Sequence, residues 1–130
     1  MIQSFRDLTV WQNAMTLAEH VYELTETMPR SEIYGLTAQI RRAVVSIPSN
    51  IAEGKAIGGR SYRRHLRIAL GSEAELQTQI ELAVRLKMLP RTEGEKVVRE
   101  TSEVGRMLTN LRKSLTRAAW QNRNKQNPEP

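Results

Sequence analysis

The chain contains no cysteine. That excludes a disulfide framework, a thiolate zinc site and a thiol nucleophile, and it is compatible with a reducing compartment. Long apolar runs are missing too, the longest being a few residues against the roughly 20 that span a bilayer. The start, Met-Ile-Gln-Ser-Phe-Arg-Asp, lacks the apolar segment of a signal peptide. A soluble, cytoplasmic protein without membrane contact is therefore expected. No stretch alternates with period two over the length of a strand, which leaves an all-α chain. The only two histidines, His20 and His65, have no partner at metal-ligand spacing. Ser46, Ser49, Ser61 and Ser72 stand at no recognisable triad spacing, so neither catalysis nor a cofactor is expected.

What is present is a set of helical stripes, the most informative running from Tyr34 to Gly54. Advancing about 100° per residue, Leu36, Ile40, Ala43, Val44, Ile47 and Ile51 fall within one core-facing arc. Pro48 interrupts it, removing a backbone donor and crowding the carbonyl of Val44, at a cost of about 3 kcal/mol. Tyr34, Ala38, Val45 and Ala52, with the stem of Arg41, form a second stripe on the opposite side. A helix apolar on two faces is buried on two faces, which points to subunit contact.

Before this helix, Val10, Trp11, Ala14, Leu17, Ala18, Val21, Tyr22, Thr25 and Met28 define a first one, with Asp7 as its cap and Pro29 as its end. Ser31 is the expected cap of the second helix, and Gly54, Gly58 and Gly59 mark a break after it. Ser61 is the expected cap of the third, with Tyr62, Leu66, Ala69, Leu76, Ile80, Ala83 and Val84 as its stripe. Glu73 falls inside that stripe, where a carboxylate needs a partner or a raised pKa. Beyond Pro90, Thr92 and Glu95 have capping-box spacing. Val97, Thr101, Val104, Leu108, Leu111, Leu115 and Ala119 follow, with Gly105 placed where another helix can approach. From Gln121 to Pro130 the chain is polar and aperiodic. The fold class is thus all-α, an antiparallel up-down-up-down four-helix bundle over residues 1–120 with a disordered C-terminal tail over 121–130.

Two sequence features resemble chemistry. Gly54-Lys-Ala-Ile-Gly-Gly-Arg-Ser61 nearly matches a phosphate-binding loop, but such a loop has meaning only after a strand, and a glycine-rich helix connection is the better assignment. Gln39, Ser46, Asn50 and Glu53 make a polar stripe beside the core stripe of the second helix. Acid–base chemistry and a hydrogen-bonded layer both use such groups; no second acid or base of matching geometry stands out, which favours the layer.

The charge is less evenly spread than its net +6 implies. Lys55, Arg60, Arg63, Arg64 and Arg67 form a run without an acid, and so do Arg106, Arg112, Lys113, Arg117, Arg123 and Lys125. An antiparallel bundle brings the start of the third helix and the end of the fourth to the same end. Cations at a helix C-terminus suit its dipole, but Arg63 and Arg64 near an N-terminus oppose it. Arg60, Arg63, Arg64 and Arg67 share an arc of about 100°, suited to tracking phosphates. With Lys113 and Arg117 they are the candidate nucleic-acid-binding residues. A solvated basic surface without a ligand would give the same composition. Tyr62 is the only aromatic near these cations that the sequence marks for stacking on a base.

Phe5, Leu8 and Trp11-Gln12, the whole Tyr34–Gly54 block with its Ser46-Ile-Pro-Ser-Asn-Ile-Ala-Glu-Gly54 core, Ile68-Ala-Leu-Gly-Ser72 and Glu75-Leu-Gln-Thr-Gln79 together carry a family resemblance. The chain resembles a bacterial four-helix-bundle family, the small proteins encoded in intervening sequences of large-subunit ribosomal RNA genes, distantly similar to the accessory variability proteins of retroelements. The resemblance implies a homopentameric ring and nucleic acid as partner, ribosomal RNA included, with no catalytic residues. A docking adaptor for a nucleic-acid enzyme, such as a polymerase or reverse transcriptase, is the alternative role. Glu73 departs from the family's usual apolar residue, and Tyr62-Arg-Arg-His-Leu66 is more basic than its usual start to that helix.

Overall fold

The three- and four-residue recurrence of apolar side chains is realised as helices. The computed structural model describes residues 2–126, which form α1 (Thr9–Thr25), α2 (Leu36–Ile57), α3 (Gly59–Arg85) and α4 (Arg91–Gln126), with no strand among the described residues. Consecutive helices pack together and α4 closes on α1, whereas the diagonal pairs make no close backbone approach. That ring of neighbours is the antiparallel up-down-up-down arrangement. Leu17, Ile40, Ile47, Ile51, Leu66, Leu76, Ile80 and Leu108 are completely buried in one core, each contributing about 1.5–3 kcal/mol by leaving water. None of the described helices is long and apolar enough to cross a membrane.

The helix ends differ from the sequence expectations, because short 3-10 turns and glycines move the starts. Asp7 does not cap α1. It closes a capping box with Ser4 around the 3-10 turn Phe5–Asp7, accepting from the Gln3 and Ser4 amides. Ser31 lies within a second such turn, Arg30–Glu32, and the side chain that reaches the first free amide of α2 is Glu32, 2.9 Å from the Leu36 nitrogen. Ser61 sits inside α3, which starts at Gly59. Thr92 lies one residue into α4 rather than at its cap. At the other end of α1, Arg41 of α2 donates to the Thr25 hydroxyl and the Tyr22 carbonyl and stacks over the Tyr22 ring.

Pro48 is buried in an unbroken α2. Gly54 is not a break either: the chain turns at Gly58 and Gly59, whose φ values of 82° and 58° lie where a side chain is strained. Gly54 is buried against α3, and a Cβ there would lie 2.9 Å from the His65 Cβ and 3.2 Å from the Tyr62 backbone. The near-match to a phosphate loop is thus a helix corner.

Between α3 and α4, Gly94 faces Val84 and Gly105 faces Glu73, so each residue along α3 is matched by one back along α4. The same register sets Gly59 level with Ala119, the last half-buried residue of α4. Residues 120–125 are all exposed, yet the helix continues to Gln126. The tail expected from Gln121 is therefore helical at its start, because Gln, Arg and Lys sustain a helix without an apolar stripe; its last part, 127–130, lies outside the described residues.

Two glycines of similar propensity separate packing from backbone effects. Gly71 is exposed, and nothing lies within 4 Å of an added Cβ. Gly71→Ala should stabilise by about 0.5–1 kcal/mol, whereas Gly54→Ala should lose about 1–2 kcal/mol through overpacking. Urea midpoints of the two variants check the opposite signs.

Candidate nucleic-acid interface

Packing fixes where the cations of α3 point. Tyr62 and Leu66 are buried, so helical geometry turns the residues between and around them outward. Arg60, Arg64 and Arg67 are exposed and Arg63 is half-buried. Arg63 occupies a row with Leu70, Gln77 and Val84, at seven-residue spacing and all half-buried. Leu70 and Val84 of that row line clefts shared with α4. Arg63 consequently lies on the α4 side of α3, with Arg60 and Arg67 next to it. Arg64, about 100° further round, is the member farthest from the groove.

On α4, Lys113 and Arg117 stand at the level of the opening turns of α3 by the same register, and both are exposed. The ion pairs among the described residues join His20 to Glu100, His65 to Glu53 and Arg106 to Glu103. None of the six candidate cations is among them. Lys55, in the same run, instead lies 5.9 Å from the centre of the Tyr62 ring.

Tyr62 does not serve as a stacking surface. It is 8% exposed, and burial pushes its phenol above the usual pKa. The aromatic that the structure puts among the cations is Trp120, 57% exposed, bordering one surface cavity with Arg112, Lys113, Thr116 and Arg117. Its place is readable from the spacing Lys113, Arg117, Trp120, which keeps one helix face, but Trp120 lies outside the apolar stripe of the fourth helix, and the sequence marks Tyr62 alone. An exposed indole beside guanidinium groups offers a face for a base.

The polar stripe of α2 meets α3 and becomes a connected seam. The Ser46 and Ser72 hydroxyls are 2.8 Å apart. Asn50 Nδ2 donates to the Ser46 carbonyl and hydroxyl at 2.8 and 3.0 Å, and His65 Nδ1 donates to Asn50 Oδ1 at 2.9 Å. Glu53 Oε2 lies 3.7 Å from the same nitrogen. Gln39 stays exposed outside the seam. The groups bond mainly to one another, which is the layer the sequence favoured, although Asn50 serves the Ser46 carbonyl rather than that of Val44. No group of side chains suited to a metal occurs among the described residues.

Residues 6–110 match the 23S rRNA-intervening sequence protein family. The chain belongs to that family. A protein of unknown function from the S23 ribosomal protein family of Bacteroides thetaiotaomicron shares its fold, with 23% identity, a TM-score of 0.75, and coverage of 81% of this chain and 99% of the other. Comparison with curated proteins gave no match. The family match stops at residue 110, so Lys113, Arg117 and Trp120 lie beyond it.

Among the described residues Glu73 is the one buried acid, 9% exposed, and its carboxyl occupies the space that Gly105 leaves. Desolvation raises its pKa, and a hydrogen bond donated by Gln77 partly offsets that. The folded protein therefore holds the Glu73 proton to higher pH than the unfolded chain does. Stability is full below the ordinary carboxylate range and falls as pH rises through the raised value. Glu73→Gln should raise Tm at pH 7.5 by roughly 4 °C, the shift from about 1 kcal/mol. The gain should vanish below about pH 4; thermal melts across pH measure it.

Proposed function

We propose that this protein is a non-catalytic, oligomeric helical bundle that binds the phosphate backbone of nucleic acid through its basic end. The observation that carries this is the set of six cations, Arg60, Arg63, Arg64, Arg67, Lys113 and Arg117, at one level of the α3–α4 pair and outside every ion pair of the described residues. Arginines without carboxylate partners keep all their donors for phosphate. Arg60 also stands in the first turn of α3, at the positive end of its dipole, an unfavourable place that a bound anion would relieve. Trp120 adds a base-stacking face to what is otherwise a sequence-independent contact.

The affinity for single-stranded nucleic acid should fall linearly with salt on a double-logarithmic plot. Replacing Arg63, Arg67 and Lys113 by Ala should flatten the slope by about 2, at roughly 0.7 per lost phosphate contact. Absence of binding at low salt, or an unchanged slope, would overturn the proposal. A protein partner, such as a nucleic-acid enzyme, is the second reading, supported by the Trp120 and Arg117 surface, since these residue types dominate protein-binding hot spots. Capture of a defined polymerase that survives nuclease treatment, without RNA or DNA affinity of the purified chain, would favour it.

The oligomeric part rests on α2. On that helix Val45 is exposed, with Ala38 and Ala52 small and half-buried along the same stripe, whereas Tyr34, 95% exposed, lies in the turn before α2 and flanks the stripe instead of belonging to it. Small residues flanked by an aromatic allow a second helix to approach and cover it; a pentamer is the assembly the family resemblance implies. Light scattering should give a multiple of 14.9 kDa, and Val45→Glu should reduce it toward the single-chain mass while the helical CD signal stays.

A further inference from the structure

Below the cationic end, α3 and α4 line a surface cleft of about 480 Å³ that is bordered by Glu73, Ser102, Arg106, Asn110 and Lys113. Glu73 is the only acid on its wall. Among the described residues its carboxylate receives one hydrogen bond, from Gln77 on its own helix, and no ion pair. An ionised carboxylate has about four acceptor sites, so most of its capacity is unspent. The carboxyl itself fills the space that Gly105 leaves, a Cβ there lying 2.9 Å from its carbon, so Gly105 is what lets an acid stand at this wall. Arg106, also on the rim, is already held by Glu103, which leaves Lys113 as the cation free to meet a phosphate beside this acceptor.

An apolar residue at position 73 would suit the α3 stripe better, for a buried acid without a cation weakens the fold. The arrangement asks for a ligand that carries a phosphate and, within one sugar of it, a hydrogen-bond donor. A ribose 2′-hydroxyl is such a donor, and deoxyribose lacks it. We infer that Glu73 is an RNA-selecting residue: a strand whose phosphates lie along Arg63, Arg67 and Lys113 sets a ribose into the α3–α4 cleft, where its 2′-hydroxyl donates to the Glu73 carboxylate. This rests on the phosphate-binding role proposed above and adds to it a preference for RNA over DNA. The cations draw either nucleic acid equally. Glu73 repels both backbones by the same charge, and repays only the strand with a donor.

The test uses the full chain and three single strands of one sequence, as RNA, DNA and 2′-O-methyl RNA, by fluorescence anisotropy at one low salt concentration. Wild type should bind RNA about tenfold more tightly than either other strand, as one charge-assisted hydrogen bond allows. Glu73→Leu should bind all three alike. Glu73→Gln, which keeps an acceptor oxygen, should retain part of the preference. Thermal melts establish that both variants are folded, and Arg63→Ala should weaken all three strands together. Equal wild-type affinity for RNA and DNA, or a preference that survives in Glu73→Leu, overturns the inference while leaving phosphate binding intact. Absence of binding to every strand overturns both.

Discussion

The contact on which the rest of the bundle depends is the close approach of α2 and α3 at Gly54. Two antiparallel helices joined through a single intervening residue, Gly58, have no freedom to splay at the corner. The backbone of α2 must therefore lie almost against that of α3, and Gly54 supplies the missing side chain. Once Tyr62, His65 and Leu66 are fixed in that contact, the rotation of α3 is determined. Arg60, Arg63, Arg64 and Arg67 follow outward as a geometric consequence. The energies agree with this order. Burying Leu66 alone is worth about 1.5–3 kcal/mol, while a cation near a helix N-terminus costs about 0.3–1 kcal/mol. Packing wins, and Arg60 is carried where the dipole would not put it.

The polar seam of Ser46, Asn50, Ser72 and His65 belongs to the same contact. Its hydrogen bonds cross the most extensive helix pairing of the bundle, that of α2 with α3, and each net bond is worth only about 0.5–1.5 kcal/mol. Their larger effect is on register. Sliding α3 along α2 by one turn would leave half-buried donors and acceptors without partners, a penalty greater than the bonds themselves contribute. An apolar interface alone would tolerate such a slip. The seam thus ties the position of the cations to the position of the core.

Helix number, order and facing were legible in the sequence because burial on one side writes a period of 3.6, and the stripes from Ile40 to Ile51 and from Tyr62 to Ala83 lie in the core as their spacing required, with Leu36 half-buried at its edge. The need for space at Gly105 was legible for the same reason. Helix starts were not. Ser31, Ser61 and Thr92 have capping side chains, but a cap is a contact between one oxygen and one amide, and a 3-10 turn or a glycine corner shifts it by several residues. Glu32 took that role at α2 instead. At the candidate site, the cations were found from charge spacing, whereas Trp120 was passed over because periodicity reports burial and an exposed helix leaves no periodic trace. The row through Arg63, Leu70 and Gln77 also needed the α3–α4 register, which two glycines reveal only once their neighbours are known.

Helix α4 outlasts its partner. From Trp120 to Gln126 it has no level counterpart on α3 and only exposed described side chains. Those turns continue an existing helix, so they incur no nucleation cost, but no tertiary contact holds them. Their helical population is set by propensity, temperature and ionic conditions, and by the repulsion between Arg117, Arg123 and Lys125. A polyanion laid along this segment would quiet that repulsion and lengthen the ordered helix. Of the whole bundle, this is the described segment whose length solution conditions set and packing does not.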